Sequence, residues 1–99
     1  MTHPRDVLVT GIGLVTSLGE GLVANRDALM AGAAPVVDTT THAPVPFHPT
    51  PPLDLDRQIP KKGDQRQMEP WQRLGTYAAG LALGDAGIAG QPELLARTH

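Results

Sequence analysis

The feature that most constrains this chain is a proline-rich interval from Ala33 to Pro60, which holds most of the ten prolines. Pro35, Pro44, Pro46, Pro49, Pro51, Pro52 and Pro60 have no backbone N–H to donate, so they resist both helix interiors and central strands. The interval therefore reads as one long extended loop with at most short edge pairings. Loops of that length are uncommon inside a compact domain. In a chain of 99 residues, this one is expected to drape over a larger body than the chain itself supplies.

The stretches on either side carry the regular structure. Asp6 to Ile12 reads DVLVTGI, aliphatic and β-branched with little alternation, as in a strand covered on both faces of an α/β sheet. Gly11, Gly13 and the Thr16-Ser17-Leu18-Gly19 segment then turn the chain into a helix near 20–32. On that helix Val23, Leu29 and Met30 form the apolar side, Asn25, Arg26 and Asp27 the polar side, and Gly32 is the stop signal. Beyond the loop, Pro70 suits the first position of a helix near 69–87, because its missing N–H would have been unpaired there anyway. Trp71, Leu74, Ala78 and Leu81 follow at helical spacing. Tyr77, Ala79, Leu83 and Ala86 add apolar surface on other sides, so burial over much of this helix's circumference is expected. Gly87 reads as its left-handed terminator, with Ile88 folding back. Gln91 to His99 begins another element.

Composition removes several function classes. Without cysteine there is no disulfide, thiolate metal site or thiol nucleophile in this stretch. The polar start and the short apolar run after it lack the pattern of a signal peptide or membrane span, so a soluble cytoplasmic protein with no membrane partner is expected. A formal net charge of -2 gives no overall reason to expect nucleic acid. Gly11-Ile12-Gly13 after a strand invites a dinucleotide reading, but Thr16 stands where the fingerprint needs a third small residue, and no cofactor is expected. His3, His42, His48 and His99 show no ligand spacing, and Asp54 and Asp56 read as a polar loop edge, so no metal is expected either.

Charge is concentrated in one place. Between Arg57 and Arg73, the bases Arg57, Lys61, Lys62, Arg66 and Arg73 face only Asp64 and Glu69, on a chain that is acidic overall. Such a surface beside a helix start is suited to steering an acidic protein partner.

Three ordered blocks carry a resemblance. Val7 to Gly19, VLVTGIGLVTSLG, resembles the opening of the elongating β-ketoacyl-acyl carrier protein synthases. Leu29-Met30-Ala31-Gly32 is similar to their first helix end. Arg66-Gln67-Met68-Glu69 and Asp85-Ala86-Gly87-Ile88 are similar to the segments bounding their long alanine-rich helix. The resemblance implies an α/β chain forming an incomplete N-terminal part, residues 1–99, of a thiolase-like five-layer αβαβα fold, usually a homodimer. It also implies an acyltransferase activity in the full-length form: decarboxylative Claisen condensation of an acyl thioester with malonyl-carrier protein, in fatty-acid-type synthesis. The cysteine and two histidines that do this chemistry in the family lie downstream of the matched region, so no catalytic residue is assigned here and the chain alone is expected to be inactive. What carries over is docking of the acyl carrier protein: Arg66 falls on a docking position of the family, with Lys61 and Lys62 beside it. Gln67 and Gly63 depart from the pattern, which leaves docking to fewer charges.

Two other readings stand beside this one. The first is a non-catalytic partner subunit of the chain-length-factor kind, which shares the fold and lacks the catalytic residues. The second is a stand-alone carrier-binding module, which would have to fold cooperatively from one strand and two substantial helices.

Overall fold

In the computed structural model, which describes residues 3–99, a hairpin of β1 (Val15–Thr16) and β2 (Gly19–Glu20) leads into helix α1 (Leu22–Met30). After the long loop come a 3-10 turn at Leu55–Arg57 and helices α2 (Lys62–Gln67), α3 (Pro70–Asp85) and α4 (Pro92–Ala96). Helices α1 and α3 lie within the stretches 20–32 and 69–87 read as helical, whereas α2 and the 3-10 turn were not expected from the sequence.

Local chemistry sets the helix ends. Gly32 and Gly87 take φ of 67° and 77°, a region closed to most side chains. At the end of α3, Gly87 N–H donates to the Gly84 carbonyl and Ile88 N–H to the Leu83 carbonyl, both at 3.1 Å. Gly32 and Ala33 repeat the same pair of bonds to Leu29 and Ala28 at the end of α1, so carbonyls otherwise left open are satisfied at both ends. At the start of α3, Pro70 sits in the first turn, and Glu69 N–H donates to Gln72 Oε1 at 2.7 Å within a reciprocal capping box.

Residues 6–12, read as a buried strand, form no strand here. A strand exists only by its ladder, and among the described residues nothing pairs with this run. The sheet consists of β1 and β2 alone, antiparallel with Val15 opposite Glu20 and Thr16 opposite Gly19, plus one isolated bridge between Asp38 and Phe47. Val7, Leu8 and Val9 are consequently 96%, 63% and 81% exposed.

The glycines that follow are packed hard. A Cβ on Gly13 would stand 1.8 Å from the Ala78 carbonyl oxygen, and one on Gly11 would stand 2.3 Å from that of Ala82 and 2.7 Å from Ala86 Cβ. Ala78, Ala82 and Ala86 recur every four residues and so share one face of the helical turn. The Gly11-Ile12-Gly13 backbone lies along that face, and Ile12 N–H donates to Asp85 Oδ2 at 2.9 Å. Small residues on both sides make this approach possible.

Burial elsewhere is sparse. Among the described residues, Ile59 and Tyr77 are the buried apolar side chains. Helix α3, expected to be covered over much of its circumference, buries only Tyr77 and leaves Trp71 72% exposed. The chain exposes 7709 Å², against about 5,400 Å² for a compact monomer of its mass. Its radius of gyration is 16.5 Å, against about 13 Å for a compact domain of this length.

Helix α1 reverses its expected orientation. Asn25, assigned to the polar side, is the buried residue, while Val23, Leu29 and Met30 are exposed. The cause is hydrogen bonding: Asn25 Nδ2 donates to the Gly19 and Gly21 carbonyls at 3.1 and 2.8 Å, and its Oδ1 accepts from the Thr16 hydroxyl. Thr16 Oγ1 in turn accepts from Leu18 N–H, so one amide holds the hairpin turn against the helix.

The proline-rich loop is ordered by short-range stitches. Asp38 exchanges backbone bonds with Phe47, and its carboxylate accepts from the Thr40 and Thr41 N–H groups and both hydroxyls. These bonds, led by the Thr41 hydroxyl, lower its pKa from 3.8 to about 2. The expected short edge pairing is this bridge.

Candidate functional site

The basic segment forms a surface around α2, held in place from inside by Gln65 and Asp56. Gln65 is buried, and its Nε2 donates to the Ile59 carbonyl at 2.6 Å and to Asp56 Oδ1 at 2.7 Å. Asp56 also takes Lys62 Nζ at 2.7 Å. The hydrogen bonds from Lys62 and then Gln65 hold its carboxyl below the usual range. Asp54 accepts from Asp56 N–H and caps the 3-10 turn. The two aspartates read as a polar loop edge thus organise the entry to α2.

The bases of the segment divide by what they touch. Arg57 pairs with Glu20 across the fold at 3.3 Å. Lys62 is engaged by Asp56. Arg73 Nε donates to the Gln65 carbonyl at 2.8 Å and ties the first turns of α3 to α2. Lys61 and Arg66 are exposed and, among the described residues, have no acidic partner. Of the three expected docking residues, all lie on α2 or at its start. Lys62 and Arg66 are four apart on one face, but Lys62 shares its charge with Asp56.

A second cluster was missed by the sequence. The fully buried Tyr77 hydroxyl donates to Glu20 Oε2, whose other oxygen accepts from Arg57. Burial, and then the Glu20 carboxylate, push the Tyr77 phenol above its ordinary value. A buried phenol needs a polar partner, which Tyr77 alone would have signalled, but a partner 57 residues away in sequence is not legible. Glu20 joins the hairpin, the 3-10 turn and α3 at one point.

The other candidates lose their sites. The Gly11-Ile12-Gly13 backbone is pressed against α3 on the side where side chains would stand, so its glycines serve this helix contact. His48 Nδ1 donates to the Val36 carbonyl at 2.9 Å, and the His42 ring tilts against Phe47 at 5.0 Å, so both serve the loop. Among the described residues no group of three or more His, Asp or Glu is placed to hold a metal ion. None of their helices is long and apolar enough to cross a membrane.

Next to the basic surface lies an apolar groove of about 370 Å³, walled by Pro51, Leu53, Leu55, Leu74 and the Trp71 ring, with Arg73 at its side. The chain matches no protein-family model, no curated protein and no solved structure.

Proposed function

We propose that this chain is the opening part of a condensing enzyme resembling the β-ketoacyl-acyl carrier protein synthases, and that α2 is where an acidic acyl carrier protein docks. In this reading the complete cytoplasmic enzyme, a homodimer, joins an acyl thioester to malonyl-carrier protein with loss of carbon dioxide, and the residues described here perform none of that chemistry. The carrying observation is the pair of exposed, acid-free bases Lys61, just before α2, and Arg66, in its last turn, on a helix whose inner side is pinned by Gln65. Fixed positive charge on a rigid element gives orientation and on-rate to an acidic partner.

The packing supports the larger body. A bare Val7–Val9 run and some 2,300 Å² of surface beyond the compact expectation suit a strand and helices whose sheet neighbours lie elsewhere in the fold. The tight seam between Gly11, Gly13 and α3 suits a strand already laid on its covering helix.

The test is Arg66→Glu, assayed by carrier binding at low and high salt. We expect binding to weaken about tenfold or more at low salt and the difference to shrink at high salt, because exposed charges are screened beyond about 8–10 Å. Equal affinity of parent and variant at low salt rejects the docking role.

A further inference from the structure

We infer that Asp56 tempers the docking surface from within: its carboxylate occupies Lys62, a base that would otherwise meet the acidic groups of the acyl carrier protein. The inference rests on the docking reading above and adds to it a residue of opposite charge that sets how tightly the surface binds.

The three expected docking bases are not equally available. Lys61, Lys62 and Arg66 are all exposed, yet among the described residues Lys62 alone of the three has an acidic partner, its Nζ standing 2.7 Å from Asp56 Oδ1. Lys62 and Arg66 lie four apart and share a face of α2, so a free Lys62 would extend the positive line that begins at Arg66. With the pair closed, the surface offers two free bases and not three.

The fold fixes Asp56 for this role. It lies in the 3-10 turn Leu55–Arg57, where its N–H donates to Asp54 Oδ1 at 3.2 Å, and buried Gln65 donates to its Oδ1 at 2.7 Å. Gln65 therefore holds the carboxylate against α2 whether or not Lys62 is bound. Nearness in sequence is not enough to make such a pair: Asp64, within α2 itself, forms no ion pair among the described residues. The side chains of Lys62 and Asp56 remain 63% and 49% exposed. A pair so exposed contributes little to stability, so its consequence falls on binding. A carrier carboxylate must displace Asp56 to reach Lys62, and the exchange of one carboxylate for another gains little.

The test is a double-mutant cycle in the full-length protein, titrated with purified acyl carrier protein. Asp56→Asn removes the charge and keeps an oxygen for the Gln65 amide; it should tighten binding about threefold at low salt, with the gain shrinking at high salt. Lys62→Gln should then cost about threefold more in the Asp56→Asn background than in the parent, because only there does Lys62 reach the carrier. An equal cost in both backgrounds would mean that Asp56 acts through net charge alone, and the masking of Lys62 is wrong. Acetylation footprinting of the unaltered protein gives a second reading that the folding of no variant can affect: bound carrier should protect Lys61 and leave the rate at Lys62 unchanged. Equal protection of the two lysines overturns the masking. If Arg66→Glu weakens carrier binding while Asp56→Asn leaves it unchanged, the masking is wrong and the docking reading stands. If neither the parent nor Asp56→Asn binds the carrier at low salt, both fall.

Discussion

Helices α1 and α3 are of similar amphipathic promise in the sequence but are fastened by opposite means. Helix α3 is fixed by shape: the Gly11-Ile12-Gly13 backbone lies on its alanine face at a distance that no side chain at the glycines would permit. Helix α1 is fixed by one polar group, the Asn25 amide that binds the hairpin carbonyls, while Val23, Leu29 and Met30 face outward. Apolar pattern alone therefore does not say which side of a helix is buried. What decides is which neighbours the fold provides, and here the neighbours of α1 are backbone carbonyls.

The largest expected effect attacks the steric side. Gly13→Ala places a methyl 1.8 Å from the Ala78 carbonyl oxygen, and neither backbone can yield without separating the segment from α3. Overpacking of this kind should destabilise by about 3 kcal/mol, read from urea unfolding. A stability equal to the parent would mean that the seam is loose and that α3 is held by its polar contacts through Tyr77, Arg73 and Asp85.

The polar side should follow. Asn25→Ala removes hydrogen bonds to two carbonyls and the partner of the Thr16 hydroxyl, all partly buried. Leaving such groups unsatisfied should cost about 2 kcal/mol, with the loss concentrated in hydrogen-exchange protection of residues 14–25. Met30→Ser, on the same helix but 83% exposed, should stay within about 0.5 kcal/mol of the parent. If Met30→Ser costs more than Asn25→Ala, the orientation assigned to α1 is reversed.

Legibility in the sequence followed the range of the interaction. Gly32, Gly87 and Pro70 could be read because a helix end is set by residues within a turn of it, and the structure uses all three as expected. Residues 6–12 were misread as a formed strand because a β-branched run specifies what a segment can pair with, not whether a pair is present. Asn25 was misplaced because a polar residue on a helix is ordinarily solvated; the signal available was the run of glycines just before it, which leaves carbonyls for an amide to bind. The basic surface was visible as charge density, but the acids that engage Lys62 and Arg57 were not counted against it. Asp56 sits one residue before the basic segment, and Glu20 lies 37 residues from Arg57. Trp71 was read as an apolar position on a helix expected to be covered over much of its circumference, and it is 72% exposed.

The smallest expected effect concerns a third way of fastening, which sets a lower limit to the comparison. Asp38 holds its own loop through bonds to Thr40 and Thr41 and touches neither helix, so its contribution should be local and pH-dependent. Its carboxyl titrates at about 2 in the fold against 3.8 ordinarily. A folded pKa below the unfolded one means the ionised form is favoured by the fold; the stabilisation is present above about 3.8 and is lost as pH falls through about 2. At pH 7, Asp38→Asn should speed amide exchange at Thr40 and Thr41 and leave residues 70–85 unchanged. Lowering the pH toward 2 should bring parent and variant together. Persistence of the difference at that pH would assign the loop's order to the Asp38–Phe47 backbone bridge, not to the carboxylate.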